Sequence, residues 1–226
     1  MVPLLVYLAT IAITTWVQAK VQRTAAKFSA ISASAGLAGH QAARRLLDSV
    51  GLQNVPVAPS TGPFGDYYDH VNRELRLSGD VYGGTSIYSI AVAAHEAGHA
   101  VQHQIRYPLL MFRTAVIPVA KYGPGLGYIL LLVGGGTLFA GAGSIGLRLV
   151  LLGAAIYALT MALTFASLPV EFNASKRAIA LLESNNLVSP EERADVKSVL
   201  NAAALTYVAA AAMSLLNIAR LVRPFR

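Results

Sequence analysis

Residues 90–106 read IAVAAHEAGHAVQHQIR, and the rest of the chain is read from them. His95-Glu96-Ala97-Gly98-His99 is an H-E-x-x-H run. On a helix, residues four apart share a face, one turn up. His95 and His99 can therefore present two imidazole nitrogens to one ion. Zinc accepts two such ligands plus a third protein ligand, with one position left for water. Glu96 points to the side of that edge, where it can take the proton of an activated water. Ala93, Ala94, Ala97, Ala100 and Val101 surround the motif and bring no competing charge. A core helix that merely carries these three side chains is the plainer reading. Against it, buried Glu is rare without a partner. The expectation is one Zn2+ per chain, with His95 and His99 as ligands and Glu96 as the catalytic base.

The composition says where such a helix sits. Apolar residues make up 55% of the 226, charged residues only 13%, and mean hydropathy is +0.53. A soluble domain carries about 25% charged residues, so this is the composition of a membrane protein. The net charge of +7 fits membrane topology and anionic headgroups better than nucleic acid. No basic run with interleaved aromatics argues for nucleic-acid binding. Cysteine is absent, which excludes disulfides and thiolate ligands and leaves His and carboxylate for a metal.

Residues 3–19 carry no charge, and Lys20, Arg23 and Lys27 follow them. That order favours a retained anchor over a cleaved signal peptide, whose positive charges come first. It also places the N-terminus outside and the following segment in the cytoplasm. Residues 25–48 read as one or two helices, and 55–58 as a short strand. Tyr67-Tyr68 and 74–77 read as two strands around a turn at 70–73. This hairpin either holds an extended peptide beside a cleft or braces the fold. Thr85 or Ser86 can cap the motif helix.

Two apolar runs, 116–142 and 147–168, read as a transmembrane hairpin turning at 141–144. Gly134, Gly135, Gly136, Gly141 and Gly143 are the residues expected to permit close helix contact. Pro169 fits the first turn of a new helix or a kink. Ser189-Pro190-Glu191-Glu192 is a capping box, followed by a fourth apolar segment over 199–222. The organisation is thus an anchor (1–20), a cytoplasmic-side catalytic region (21–113), a transmembrane hairpin (114–168), a third-ligand helix with a capped helix start (169–198) and a C-terminal membrane helix (199–226). Most of the 18 Lys and Arg then fall on the cytoplasmic side, while Arg220, Arg223 and Arg226 strain the rule. The fold class expected is mainly α: a multi-pass helical bundle with a small β-hairpin.

Glu171 is the favoured third metal ligand. It follows an apolar span, and Ala174, Ser175 and Ala178 share its helical face, so that face can lie very close to another helix. A first-turn Glu complementing the helix dipole is the alternative. His103 lies about two turns, roughly 12 Å, beyond His95 on the same helix, too far to share its ion. It reads better as a cleft or surface residue.

With these residues in place, the chain resembles the YugP-type neutral zinc metallopeptidases, which are membrane-embedded bacterial enzymes. The resemblance rests on AAHEAGHAVQHQ at 93–104, LPVEFNASKRA at 168–178 and the YYD…LRLS hairpin. More distantly, HEAGH with EFNAS is similar to the HtpX and CAAX-protease superfamily. The resemblance implies a zincin-like motif helix, gluzincin-like ligation by His95, His99 and Glu171, and a bacterial cell-membrane location. It also implies peptide-bond hydrolysis in protein substrates, membrane or misfolded ones in particular. Ser175 departs from the Asp of the distant pattern, so Asn173, Ser175 or a backbone carbonyl must orient a ligating His. No His follows Glu171, so Arg177, Tyr207 or His103 is left to stabilise the oxyanion. A non-catalytic zinc-containing scaffold or chaperone is the rival function. Three good ligands, not four, favour catalysis.

Overall fold

The computed structural model describes residues 2–61 and 65–222. The elements in order are α1 (Val2–Ser29), α2 (Gly39–Ser49), β1 (Val57–Pro59), β2 (Tyr67–Asp69), β3 (Glu74–Leu77), α3 (Gly79–Tyr82), α4 (Ile87–Gln104), α5 (Pro108–Ala115), α6 (Ile117–Phe139), α7 (Gly143–Ser184) and α8 (Glu192–Val222). The protein is mainly helical with one small sheet. Two compact units form, one from 1–107 with 168–226, the other from 108–167.

The first unit has its core around α4. Ile87, Ile90, Ala91, Ala93, Ala94 and Ala97 of that helix are buried with Leu46 and Leu47 of α2, Leu75 and Leu77 of β3, Ala178 and Leu182 of α7, and Val199 and Leu200 of α8. Small residues on α4 let its neighbours approach closely, and Leu on those neighbours fills the space. The sheet order is β1-β3-β2, with β1 parallel and β2 antiparallel to β3. Alternation along β3 puts Leu75 and Leu77 inside, while Glu74 and Arg76 pair on the outer face at 2.8 Å. Arg73 turns the hairpin with φ 54°. Ser86 caps α4 by accepting a bond from the Ser89 amide. The box at Ser189 and Glu192 forms reciprocally, and the Glu192 carboxylate also takes the amide and hydroxyl of Ser34. That contact ties the start of α8 to the segment after α1.

The second unit contains α5, α6 and the first part of α7. Its glycine seam matches the expected one at Gly134 alone. Gly135, Gly136, Gly141 and Gly143 face open space. Gly134 makes the expected contact, where an added Cβ would lie 2.7 Å from the Val150 amide nitrogen, and it is joined by Gly123 and Gly127 on α6 and Gly146 and Gly153 on α7. Seven-residue spacing keeps 127 with 134, and 146 with 153, on one helical face.

Pro169 starts no new helix. It lies inside α7, which runs unbroken over 42 residues. Likewise, α1 continues through residue 20 to Ser29 without a break. Among the described residues, Lys121–Phe139, Gly143–Ser184 and Glu192–Ser214 are long and apolar enough to cross a membrane. Arg223 and Arg226, counted above for topology, lie outside the described residues.

Candidate metal centre

Glycine brings the two ligand helices together. A Cβ at Gly98 would lie 2.6 Å from the carbonyl oxygen of Ala174, so only a residue without one lets α7 pass α4 this closely. The approach delivers Glu171. Its Oε2 lies 3.1 Å from His95 Nε2 and 3.3 Å from His99 Nε2. One ligand atom from each of the three residues lies within 4.8 Å of the others. Ligands at about 2.0–2.2 Å around a tetrahedral zinc stand roughly 3.3 Å apart, so both carboxylate contacts match the edges of such a site. Glu171 is 2% exposed and His99 8%. His95 is half-buried, which keeps one side of the cluster accessible.

The hydrogen bonds behind the His99 ring fix its tautomer. Gln102 Nε2 lies 2.8 Å from the carbonyl oxygen of Val170. A carbonyl only accepts, so this atom is the amide NH2, and it donates also to Asn173 Oδ1 at 3.0 Å. Gln102 Oε1 then faces His99 Nδ1 at 3.0 Å, and that nitrogen must donate. Neutral His99 therefore turns a bare Nε2 lone pair toward the Glu171 carboxylate. Two lone pairs at 3.3 Å repel unless a cation lies between them. The donor set fits a divalent metal, or a proton in its place. Without a metal, burial of His99 works against its charged form, but the hydrogen bond to Glu171 and the charges of Glu96 and Glu171 outweigh it. The net direction is upward.

Ser175 Oγ sits 3.2 Å from His95 Nδ1, as the back-side partner of the second ring. Asn173 acts one step further out, accepting from both Gln102 and the Arg177 guanidinium. Arg177 thus supports the network behind His99. Replacing Gln102 with Met removes the acceptor at similar volume. Metal affinity should fall about 10- to 100-fold, measurable by competition with a chelator.

Glu96 is 8% exposed and is held from the sheet, since the Tyr68 amide donates to its Oε2 at 2.9 Å. That N–H leaves the outer edge of β2, because Tyr68 pairs with Leu75, whose own amide bonds Pro56 on the other side. The hairpin therefore positions the base. Tyr68 reaches on with its hydroxyl to His103 Nδ1 at 3.0 Å. Burial, then the Arg73 charge, lower the pKa of His103. The His70 ring packs against His99 and His103 at 6.5 and 5.6 Å. On the other side, a cavity of about 260 Å³ is lined by His95, Glu96, Asp66 and Tyr207 together with α1 and α8.

Comparison with known proteins assigns the chain to a family. A family model described as "Putative neutral zinc metallopeptidase" matches residues 3–226. The chain belongs to this family. It is also 43% identical over 218 residues to a protein of Bacillus subtilis (strain 168) named "Putative membrane protease YugP", covering 96% of this chain and 94% of that one. No solved structure matches. Within the family's matched span lie the two residues that the sequence reading missed, Gln102 and the amide of Tyr68. Gln102 follows His99 by three and so shares its helical face, which is the one signal that could have found it. A backbone amide leaves no such trace.

Proposed function

We propose that this protein is a zinc-dependent membrane endopeptidase. The observation that carries the reading is the buried Glu171 carboxylate facing the Nε2 atoms of both His95 and His99. A divalent ion held there supplies Lewis acidity to a peptide carbonyl and acidity to a water, whose pKa falls to about 7. The chain's own residues do the rest. Glu96 accepts the water proton, in an orientation set by the Tyr68 amide, and passes it to the leaving amine. The amine must come within hydrogen-bond reach of Glu96, so the leaving half of the substrate lies over the cavity beside that residue. Val21 and Ala25 of α1 and Val199 and Ala203 of α8 line it, which suits a small apolar side chain. Tyr207 lines the same cavity, which makes it the best placed of the three oxyanion candidates.

The apolar helices and the relative's printed name support a multi-pass protein of the bacterial cell membrane, and Lys20, Arg23 and Lys27 after the N-terminal apolar run support a site on the cytoplasmic side. Membrane or misfolded proteins are the proposed substrates. The test is zinc stoichiometry together with casein cleavage by the purified protein. A preparation that holds zinc yet cleaves neither casein nor peptides would support the scaffold reading instead.

Ligation requires neutral imidazoles. The raised pKa of His99 means that protons compete with the ion from above the ordinary value of about 6.5. Zinc affinity should therefore fall as the pH is lowered, with less metal retained in acid than at pH 8. Metal analysis after dialysis at stepped pH checks this.

A further inference from the structure

We propose that the groove between α1 and α8 binds the phosphate headgroup of an anionic phospholipid. Lys20, Arg23 and Lys27 occupy positions i, i+3 and i+7 of α1 and share one face. All three are exposed, and all three line a cavity of about 490 Å³, with Ser198 of α8 across from them. An adjoining cavity of about 450 Å³ shares Lys20, Thr24 and Ser198 and adds Asn201 and Leu205. The two are halves of one groove. No carboxylate occurs among the described residues that line either half. Like charges one turn apart repel, so three converging cations are best satisfied by an anion. Hydroxyls of Thr24 and Ser198 and the amide of Asn201 supply neutral donors suited to phosphate oxygens.

Apolar surface extends from the cationic part. Trp16, 57% exposed, closes one half with Lys20 Nζ 5.3 Å from its ring centroid. Toward the N-terminus of α1, Ile13 and Leu5, three and eleven residues before Trp16 and so on its face, are exposed, as is Val208 on α8. A soluble phosphate engages only the basic part of this surface. A phospholipid engages both parts, with acyl chains along the apolar residues and the headgroup among the three cations. A zwitterionic lipid carries its own cation into the same place and is disfavoured.

The test uses the full chain purified in an uncharged detergent and does not depend on peptidase activity. Phosphatidylglycerol, phosphatidylcholine or inorganic phosphate is added at equal concentration, and melting temperature is followed. Phosphatidylglycerol should raise it saturably, on the order of 5 °C near a hundredfold excess over Kd. The other two should leave it almost unchanged. The triple variant Lys20→Gln, Arg23→Gln, Lys27→Gln should lose the shift, and Lys20→Gln alone should show a smaller one. An equal shift with phosphatidylcholine overturns the proposal, because apolar contact then suffices. So does an equal shift with inorganic phosphate, or a wild-type response in either variant.

Discussion

Glu96→Gln should abolish cleavage while leaving the metal in place. Gln matches Glu in shape, and its carbonyl oxygen can still accept the Tyr68 amide that now holds the carboxylate. The sheet therefore keeps its contact with α4. Only the ability to take a proton is removed. Loss of a positioned general base lowers turnover about 10²- to 10⁴-fold, equivalent to roughly 3–5 kcal/mol in the barrier. Zinc should remain at one per chain, because Glu96 is not among the three clustered ligand residues. Turnover of a quenched peptide and metal content, measured on the same preparation, check both halves. Normal cleavage by this variant would remove Glu96 from the role assigned to it. Loss of zinc together with activity would instead place its carboxylate in the ligand set.

The parts of this site that were legible in the sequence are those with a spacing signal. His95 and His99 stand four apart, and a helix converts that spacing directly into shared direction. Glu171 was legible for a different reason. Its neighbours Ala174, Ser175 and Ala178 make a face without bulk, and Gly98 provides the matching gap on α4. The alternation of Leu75 and Leu77 with Glu74 and Arg76 likewise announced a half-buried strand. What escaped depends on which partner occupies a face. Glycines in 123–153 are plentiful, but composition does not say that 127, 134, 146 and 153 meet while 135 and 136 do not. Pro169 reads locally as a break, since its ring removes one helical hydrogen bond. In the structure the surrounding turns carry α7 through it. Gln102 reads as an ordinary polar residue until Val170 and His99 are both known to lie against it.

Glu171→Ala should empty the site. The carboxylate is the only acidic group in the cluster and lies within 3.3 Å of both imidazole nitrogens. Structural zinc sites with four ligands bind with about 10–16 kcal/mol, so one ligand is worth about 3–4 kcal/mol, or on the order of 10²- to 10³-fold in affinity. Two neutral imidazoles alone would also leave the charge of a divalent ion uncompensated in a largely buried place. Activity should then be lost together with zinc, in contrast to Glu96→Gln, where the two separate. Helical circular dichroism distinguishes metal loss from unfolding. Gly98, which sets the approach of α7, is untouched by the change, and the truncation only removes bulk. Excess zinc should restore part of the activity if the fold is intact, because weakened binding yields to mass action. Full zinc content in Glu171→Ala at submicromolar free metal would mean that another group completes the site. The pairing of α4 with α7 at Gly98 would then be packing alone, and the metal would have to be sought on the His70 and His103 side of His99.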